Sequence, residues 1–326
     1  MGYWGVNYLR VFSESKLATI KYVCDKDASR LPDRKTIDSG PIITDDPMRI
    51  VEDEKVDAVV IATPASTHYE IAKRAIKAQK HVLIEKPMTM NFAQATELGD
   101  LSEKEGSIVL VGHIYCYNAS VEYMRQQLHK RSLGELYYGT GLRMGIGPIR
   151  SDASCTWDLA THDIAMLDYL LGEMPVSVAA DARSFLRNDD RIFDQATINL
   201  KYANGFTFGL TVSWYAAEKI RTWFLVGGQG MLKFDDMDKE TPITMYERSA
   251  VVTPRHRNVF TIKDGRVTAP RIRRVEPLTN EVGQFLYSIR KNQKPVADAR
   301  QGARVVKVVE AVELSIRRNG SLVKLD

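Results

Sequence analysis

The first 116 residues alternate between short apolar runs and amphipathic helical patterns, and this alternation constrains the fold more than any other feature. Residues 57–63 and 81–84 are nearly unbroken apolar runs, which are typical of strands buried on both faces of a parallel sheet. Helical patterns follow at 69–78 and 92–105, the second with Asn91 as a candidate N-cap. Strands and helices joined by short links predict an α/β domain with a doubly wound parallel sheet over residues 1–116.

Residues 117–326 show a different pattern, which predicts an α+β domain with a mainly antiparallel open sheet. Asn204-Gly205 separates two alternating runs, at 196–202 and 206–214, and this is a strong hairpin signal. Amphipathic helices are predicted at 280–290 and 301–318. A chain of 326 residues is long enough for two domains of this kind.

Composition and charge argue against a membrane or nucleic-acid partner. No apolar stretch approaches the ~20 residues that span a bilayer. The net charge is only +4, and the short basic run 271–274 is more typical of a solvated face than of a nucleic-acid patch. Cys24, Cys116 and Cys155 form no C-x-x-C pair, so we predict no metal site and a reducing, cytoplasmic location.

The segment Gly2-Tyr3-Trp4-Gly5-Val6-Asn7 has the spacing of a glycine-rich loop that opens a helix. A strand pattern then ends at Asp25, which lies 20 residues after Gly5. Gly2 would let the backbone approach a pyrophosphate at the helix N-terminus, and Asp25 would bind ribose hydroxyls. A carboxylate there repels a 2′-phosphate, which favours NAD, while the nearby Arg30 leaves NADP open. The alternative is that Asp25 is an ordinary surface residue.

A strand normally precedes such a loop and occupies the centre of the sheet. Its absence would remove about five buried side chains, each contributing about 1.5–3 kcal/mol. We therefore expect roughly eight to ten further residues ahead of Met1, ending in glycine. Intact-mass measurement of the protein from its native source tests this expectation, and a mass that begins at Met1 contradicts it.

Two segments contain candidate reacting groups. Glu85-Lys86-Pro87 directly follows a predicted parallel strand, where ligands bind in sheets of this type. Asp158 and His162 are four residues apart, so on a helix they share a face, and the carboxylate can orient the imidazole for proton transfer. The alternatives are a surface role for Lys86 and a capping or core role for His162.

These motifs together resemble the Gfo/Idh/MocA oxidoreductases over nearly the whole chain. The matching segments, in order, are Gly2 to Asn7, Asp25, Thr63-Pro64 with Thr67-His68, Glu85-Lys86-Pro87, Gly112-His113 with Tyr117-Asn118, and Asp158 to Asp163. The resemblance implies a Rossmann domain, a C-terminal domain whose open sheet forms a homo-oligomer interface, and NAD(P)-dependent oxidation or reduction of a sugar, cyclitol or nucleotide-sugar hydroxyl. Three further stretches, at 193–196, 234–236 and 276–278, resemble members that oxidise UDP-N-acetylhexosamines at C3.

By motif position, the resemblance implies catalytic roles for Lys86, Asp158 and His162, with a Lys86–Pro87 peptide bond that is often cis. Cofactor contacts are predicted for Gly2, Tyr3, Trp4, Gly5, Asn7, Asp25, Arg30, Thr63, Pro64, His68, Glu85 and Lys86, although His68 and Trp4 fit structural roles equally well. Substrate contacts are predicted for His113, Asn118, Arg143, Asp158 and His162, and Arg143, Arg150 and Arg183 are candidates for pairing with a diphosphate.

Two other functions remain open on the same fold. Some relatives oxidise their substrate transiently to allow elimination or glycoside hydrolysis, and return the hydride. Others bind a dinucleotide and act as regulators without catalysis. The presence of Lys86, Asp158 and His162 favours an enzyme, because a regulator has no use for an acid–base set.

Overall fold

The computed structural model describes residues 1–31, 40–147, 149, 153–186, 192–252 and 260–325. The chain divides into two compact units, each built from two stretches of sequence. Unit 1 contains residues 1–118 and 275–306, and unit 2 contains residues 119–274 and 307–326. The segment 275–306, which we expected in the second domain, therefore belongs to unit 1, where its helix packs against the first helix of the chain.

Unit 1 is an α/β unit of short parallel strands and surrounding helices. Its elements are α1 Tyr3–Glu14, β1 Tyr22–Cys24, β2 Ile42–Thr44, α2 Pro47–Val51, β3 Ala58–Ile61, α3 Ala65–Lys77, β4 His81–Ile84, α4 Phe92–Glu105, β5 Val109–Val111 and α7 Pro277–Lys291. The predicted bounds of β4 and α4 are confirmed. The side chain of Asn91 caps α4 by accepting the N–H of Gln94 at 3.1 Å, and the helix ends at Gly106 with φ 68°.

The parallel strands of unit 1 form two sheets, β1-β2 and β3-β4-β5. In the second sheet Ile61 pairs with Ile84, and Ile84 pairs with Val111, so the carboxyl ends of all three strands reach the same edge. The side chains of β4 from Val82 to Ile84 are fully buried, which explains why the strand is apolar at successive positions. The predicted parallel pairing is confirmed, and the described strands form two groups, β1-β2 and β3-β4-β5.

Unit 2 is built on a nine-stranded sheet with the order β15-β12-β11-β10-β6-β9-β8-β7-β16. Its elements are α5 Ala119–His129, β6 Leu136–Met144, α6 Thr161–Leu171, β7 Ser177–Arg183, β8 Gln195–Lys201, β9 Thr207–Ser213, β10 Ile220–Gly227, β11 Gly230–Asp235, β12 Ile243–Tyr246, β13 Ser249–Val252, β14 Phe260–Lys263, β15 Val267–Thr268 and β16 Val323–Lys324. The helix α8, Ala299–Arg317, runs across the division between the units. Within the sheet only β6 and β9 are parallel neighbours, so the predicted antiparallel character is confirmed.

The predicted hairpin at Asn204-Gly205 is present between β8 and β9. Gly205 has φ 89°, which a residue with a Cβ rarely adopts. Asn204 Oδ1 accepts the backbone N–H of Phe206 at 2.9 Å, and this closes the turn. The turn therefore sets the register that places Phe208 in the core and Thr207 on the outer face.

One face of the large sheet is packed and the other is more open. On the packed face the rings of Phe208 and Trp223 lie 4.6 Å apart, opposite two glycines of β6. A Cβ at Gly139 would lie 2.7 Å from the Phe208 ring, so glycine makes room for the aromatic cluster. On the other face Tyr138 remains 50% exposed.

Two helices of unit 1 begin earlier than their apolar periodicity predicts. The helix α3 begins at Ala65 instead of residue 69, and α7 begins at Pro277 instead of residue 280. The first turn of a helix needs no apolar residue, and proline suits that position because its missing N–H has no helical partner.

Within the described part of the chain, no helix has the length and apolar character needed to cross a bilayer.

Candidate functional site

The glycine-rich segment at the start of the chain forms the N-terminus of α1. Gly2 is the N-cap residue with an extended backbone, and the 12-residue helix begins at Tyr3. A Cβ added at Gly2 would meet no described atom within 4 Å, so the helix end is sterically open at this point. Backbone amides and the helix dipole stabilise an anion at such an end. This geometry fits the pyrophosphate contact predicted for Gly2.

The neighbouring residues of the segment make local contacts. Tyr3 is 79% exposed, and the Trp4 ring lies edge-on to it at 5.6 Å. Asn7 donates from Nδ2 to the carbonyl of Tyr3 at 2.8 Å, and a Cβ at Gly5 would contact the Met1 side chain at 3.2 Å. These contacts stabilise the first turn of the helix, and the predicted cofactor roles of Tyr3, Trp4, Gly5 and Asn7 stay predictions.

Asp25 follows directly after β1, as predicted. One carboxylate oxygen accepts the backbone N–H of Asp27 at 2.9 Å, and the other lies 2.9 Å from the amino group of Met1. Burial alone would raise the pKa of Asp25, but the hydrogen bond from the N–H of Asp27 acts against it, and the pKa lies below its usual value. The group is therefore a carboxylate that can accept ribose hydroxyls. Arg30 is paired instead with Asp27, at 3.1 Å.

His68 is buried and joins two of the segments predicted to bind the cofactor. Its Nδ1 lies 2.9 Å from the carbonyl of Pro87, and its Nε2 lies 2.9 Å from the carbonyl of Thr63. Pro64 is the N-cap residue of α3, and the Thr63 hydroxyl lies 2.7 Å from that of Thr67. The ring of His68 thus fixes the loop after β3 to the loop after β4 at the carboxyl edge of the sheet.

The Glu85-Lys86 turn follows β4 and is almost fully buried. Glu85 Oε2 accepts the backbone N–H of Lys86 at 3.0 Å, and the Lys86–Pro87 peptide bond is cis. The other oxygen of Glu85 lies 2.9 Å from the Tyr8 hydroxyl, which also lies 2.7 Å from Glu281 Oε1. The strand β4 and the helices α1 and α7 therefore determine the backbone position from which the Lys86 side chain extends.

His113 and Asn118 lie after β5 in unit 1. His113 is buried, and its Nδ1 lies 2.5 Å from Gln301 Oε1. Burial lowers the pKa of His113 to about 4. The positive charge of Lys86 also lowers this pKa, whereas the hydrogen bond to Gln301 raises it. The imidazole is therefore neutral at pH 7, which suits a structural donor better than a proton acceptor. Asn118 ends the short helical turn Ile114–Tyr117.

In unit 2 the predicted acid–base pair lies on one continuous helical segment. Residues 156–160 form a turn of π-helix that leads directly into α6. From Cys155 to Asp168 every residue is buried except Asp158, Leu159 and His162, which are half-buried. The segment therefore leaves only two titratable side chains accessible, and both are among the three residues that we predicted to be catalytic. A π-turn in a helix is frequently found at a functional site.

Two further contacts hold the segment that contains Asp158. Trp214, the residue immediately after β9, donates from Nε1 to Asp158 Oδ2 at 3.0 Å. Thr156 donates its hydroxyl to the carboxyl group of Glu313 on α8, and burial raises the pKa of this glutamate. The position of the Asp158 carboxylate is thus determined by the sheet and by the last helix of the chain.

The side chain of Arg143 is buried and paired inside unit 2, a position that does not suit the binding of a diphosphate. Its Nε lies 2.5 Å from Asp163 Oδ2, and its side chain is only 4% exposed against 0% for that of Asp163. Trp223 donates from Nε1 to the same carboxylate at 2.8 Å. A structural ion pair accounts for Arg143, and we correct its predicted role accordingly. Arg183 is exposed and paired with Asp181, and Arg150 lies outside the described residues.

Three residues near the predicted site were missed by sequence reasoning. Tyr8, Glu281 and Trp214 have no place in the motifs, because their partners are distant in sequence. One of them carried a signal: Glu281 lies three residues after Leu278 and four before Phe285, on the apolar stripe of α7. A carboxyl group at such a position needs a buried partner.

Known proteins match both parts of the chain. Residues 1–113 match the family model of the oxidoreductase family with an NAD-binding Rossmann fold, and residues 121–233 match the GFO/IDH/MocA C-terminal domain. UDP-N-acetylglucosamine 3-dehydrogenase of Acidithiobacillus ferrooxidans is 27% identical over 80% of this chain and 79% of its own. Myo-inositol 2-dehydrogenase of Thermotoga maritima is 26% identical over 49% of this chain and 50% of its own.

A solved structure of UDP-N-acetylglucosamine 3-dehydrogenase from Acidithiobacillus ferrooxidans superposes with a TM-score of 0.72 and 25% identity. The match covers 85% of this chain and 84% of that one. The fold class and NAD as the cofactor are thereby confirmed, since the first family model is that of an NAD-binding domain. With both family domains present in the expected order, the chain belongs to the Gfo/Idh/MocA family of NAD-binding oxidoreductases.

Proposed function

We propose that the protein is a dehydrogenase that transfers a hydride between NAD and a hydroxyl-bearing carbon of a sugar, cyclitol or nucleotide sugar. The observation that carries the proposal is the pair Asp158 and His162, left accessible on an otherwise buried segment. A carboxylate and an imidazole are the groups that proton transfer from a hydroxyl requires. The relatives named as dehydrogenases of UDP-N-acetylglucosamine and myo-inositol support the substrate class.

In the proposed reaction each residue has one role. NAD, held at the N-terminus of α1 and by Asp25, would supply the acceptor for the hydride that leaves the carbinol carbon. His162 removes the hydroxyl proton, so that the alcohol becomes a carbonyl compound with both electrons of the C–H bond transferred. The Lys86 ammonium group is assigned to the stabilisation of developing negative charge. Asp158, held by Trp214, orients His162 and stabilises its protonated form.

A screen with two readouts tests the function. Thermal unfolding with NAD, NADP, UDP-N-acetylglucosamine and myo-inositol reports binding, because a ligand of the folded state raises the Tm. Absorbance of NADH then reports net oxidation. We expect NAD with one of these substrates to form NADH. Substrate consumption without NADH would point to redox-assisted elimination or hydrolysis, and binding of NAD with no turnover of any candidate would point to a regulator.

Cofactor preference is expected to depend on Asp25. Replacing Asp25 with serine removes an acceptor of two ribose hydroxyls, so the Kd of NAD should rise about tenfold or more. The Kd of NADP should rise less, since its 2′-phosphate no longer meets a carboxylate. Isothermal titration with each cofactor measures both values. Asp45→Ser, at an exposed position, serves as the control, and an unchanged NAD to NADP ratio in Asp25→Ser would contradict the assignment.

We also propose that the protein is a cytoplasmic homo-oligomer that associates through the open face of the nine-stranded sheet. Tyr138 is 50% exposed on this face, and its strand neighbours there include Val226 and Thr207. Tyr138→Glu would place a charge in the interface, so we expect light scattering to show a smaller assembly than the wild type. Thr197→Glu places a charge on β8, on the same face of the sheet, and is a second test of the interface. A monomeric wild-type protein would contradict the proposal.

A further inference from the structure

Two buried carboxyl groups of unit 1 share a single hydroxyl group. Tyr8 on α1 lies 2.9 Å from Glu85 Oε1 and 2.7 Å from Glu281 Oε1. All three side chains are buried, and Glu281 is 0% exposed. The cluster is tightly enclosed, because a Cβ at Gly112 would lie 3.2 Å from the Tyr8 oxygen and 3.3 Å from the Glu85 carboxyl carbon.

The number of protons in this cluster follows from the two distances. A tyrosine hydroxyl has one proton and can donate to only one acceptor. If both carboxyl groups were ionised, the second contact would bring a negatively charged oxygen against a lone pair with no proton between them, inside a buried site. Both short distances are satisfied when one carboxyl group keeps its proton and donates it to the tyrosine oxygen, while the tyrosine donates to the other.

The surroundings indicate that Glu281 is the protonated member. Its Oε2 has no hydrogen-bond partner among the described residues, whereas Glu85 Oε2 accepts the backbone N–H of Lys86 at 3.0 Å. Burial raises the pKa of Glu281 well above its usual value and the negative charge of Glu85 raises it further, while the hydrogen bond with Tyr8 acts in the opposite direction. The ionisable groups acting on Glu281 are Tyr8 from α1 and Glu85 from the end of β4.

We propose that Glu281 is a positioning residue that works in its protonated form: it donates to Tyr8, Tyr8 donates to Glu85, and Glu85 holds the backbone of Lys86. The donors converge on Glu85, which accepts from Tyr8 and from the backbone N–H of Lys86, the residue to which we assign alkoxide stabilisation. Its effect on turnover rests on the proposed function, whereas the protonation of Glu281 does not.

The proton on Glu281 makes stability depend on pH in a defined direction. Its folded pKa is raised above the unfolded value, so the folded state binds this proton more tightly. The resulting stability is fully present below the ordinary carboxyl pKa and is lost as pH rises through the raised one. The free energy of unfolding of the wild type should therefore fall with rising pH more steeply than that of Glu281→Gln, which keeps a neutral donor.

Infrared difference spectroscopy on the full chain tests the protonation directly. At pH 7 the wild type should show the C=O stretching band of a neutral carboxylic acid that Glu281→Gln lacks. Glu313→Gln is the matched control, because Glu313 is a second buried glutamate and its removal must leave the Glu281 band in place. A difference spectrum with carboxylate bands alone would overturn the inference, whether or not the protein turns over a substrate.

Kinetics test the positioning role. Glu281→Leu removes the donor and should lower kcat by about tenfold to a hundredfold, since small displacements of a catalytic group have effects of this size. Glu281→Gln restores a neutral donor at the same place and should recover most of kcat, without the wild type's loss of activity at alkaline pH. Equal losses in the two variants, or identical alkaline limbs in wild type and Glu281→Gln, would contradict the role.

Discussion

Replacing Lys86 with alanine is expected to lower kcat by about 10²–10⁴-fold while the Kd of NAD changes by only a few fold. The loss is large because the ammonium group stabilises charge that develops only in the transition state, and a contact of that kind affects kcat more than binding. The turn that holds Lys86 is buried and fixed through Glu85. Steady-state kinetics with the substrate identified in the screen, together with titration of NAD, measure the two effects.

Two further variants show whether the ammonium group itself is responsible. Lys86→Met keeps an aliphatic side chain of similar length and should lose as much activity as Lys86→Ala. Lys104→Ala removes a lysine whose side chain is 78% exposed and should leave kcat unchanged. Near-normal turnover in Lys86→Met would show that the charge is not needed and would end the assignment.

Replacing Asp163 with alanine is expected to lower the free energy of unfolding of unit 2 by about 3–5 kcal/mol, because it leaves a buried guanidinium without its counter-charge. Asp163 is fully buried between Arg143 and Trp223, and it accepts hydrogen bonds from both. Urea unfolding followed by tryptophan fluorescence measures the loss, since Trp223 lies in the affected cluster.

The surface ion pair between Arg183 and Asp181 provides the control. The two charged groups lie 3.2 Å apart, and both side chains are largely exposed. Asp181→Ala should change stability very little, because solvent screens an exposed ion pair. The double variant Asp163→Leu with Arg143→Met removes both charges and should recover much of the stability lost in Asp163→Ala. Equal destabilisation by Asp163→Ala and Asp181→Ala would show that burial does not strengthen the pair.

Local patterns predicted the elements near the site well where short-range chemistry decides the structure. The helix α4 has its predicted bounds because Asn91 caps one end and Gly106 ends the other in a left-handed conformation. The hairpin at Asn204-Gly205 follows for the same reason, since only a few residue types adopt its turn geometry. Helix starts were less accurate, since α3 begins at Ala65 and α7 at Pro277, ahead of the predicted residues 69 and 280.

Long-range partners could not be predicted from the same patterns. Periodicity indicates that the Glu281 position faces the core, but the contact with Tyr8 joins residues 273 apart in sequence. Arg143 was predicted as a candidate for pairing with a diphosphate, and nothing nearby in the sequence identifies Asp163 as its partner. A charge can be recognised in a sequence, whereas the group that neutralises it depends on packing.

The sequence by itself determined the class of each half, the ends of several elements and the residue types available for chemistry. These properties depend on periodicity, capping and turn conformations, which act over fewer than about ten residues. Only the tertiary structure decided that Arg143 is an internal ion-pair partner, that Trp214 holds Asp158 and that Tyr8 joins two glutamates. The reason is that burial strengthens a polar contact only between the particular side chains that packing brings within hydrogen-bond distance, and these are distant along the chain.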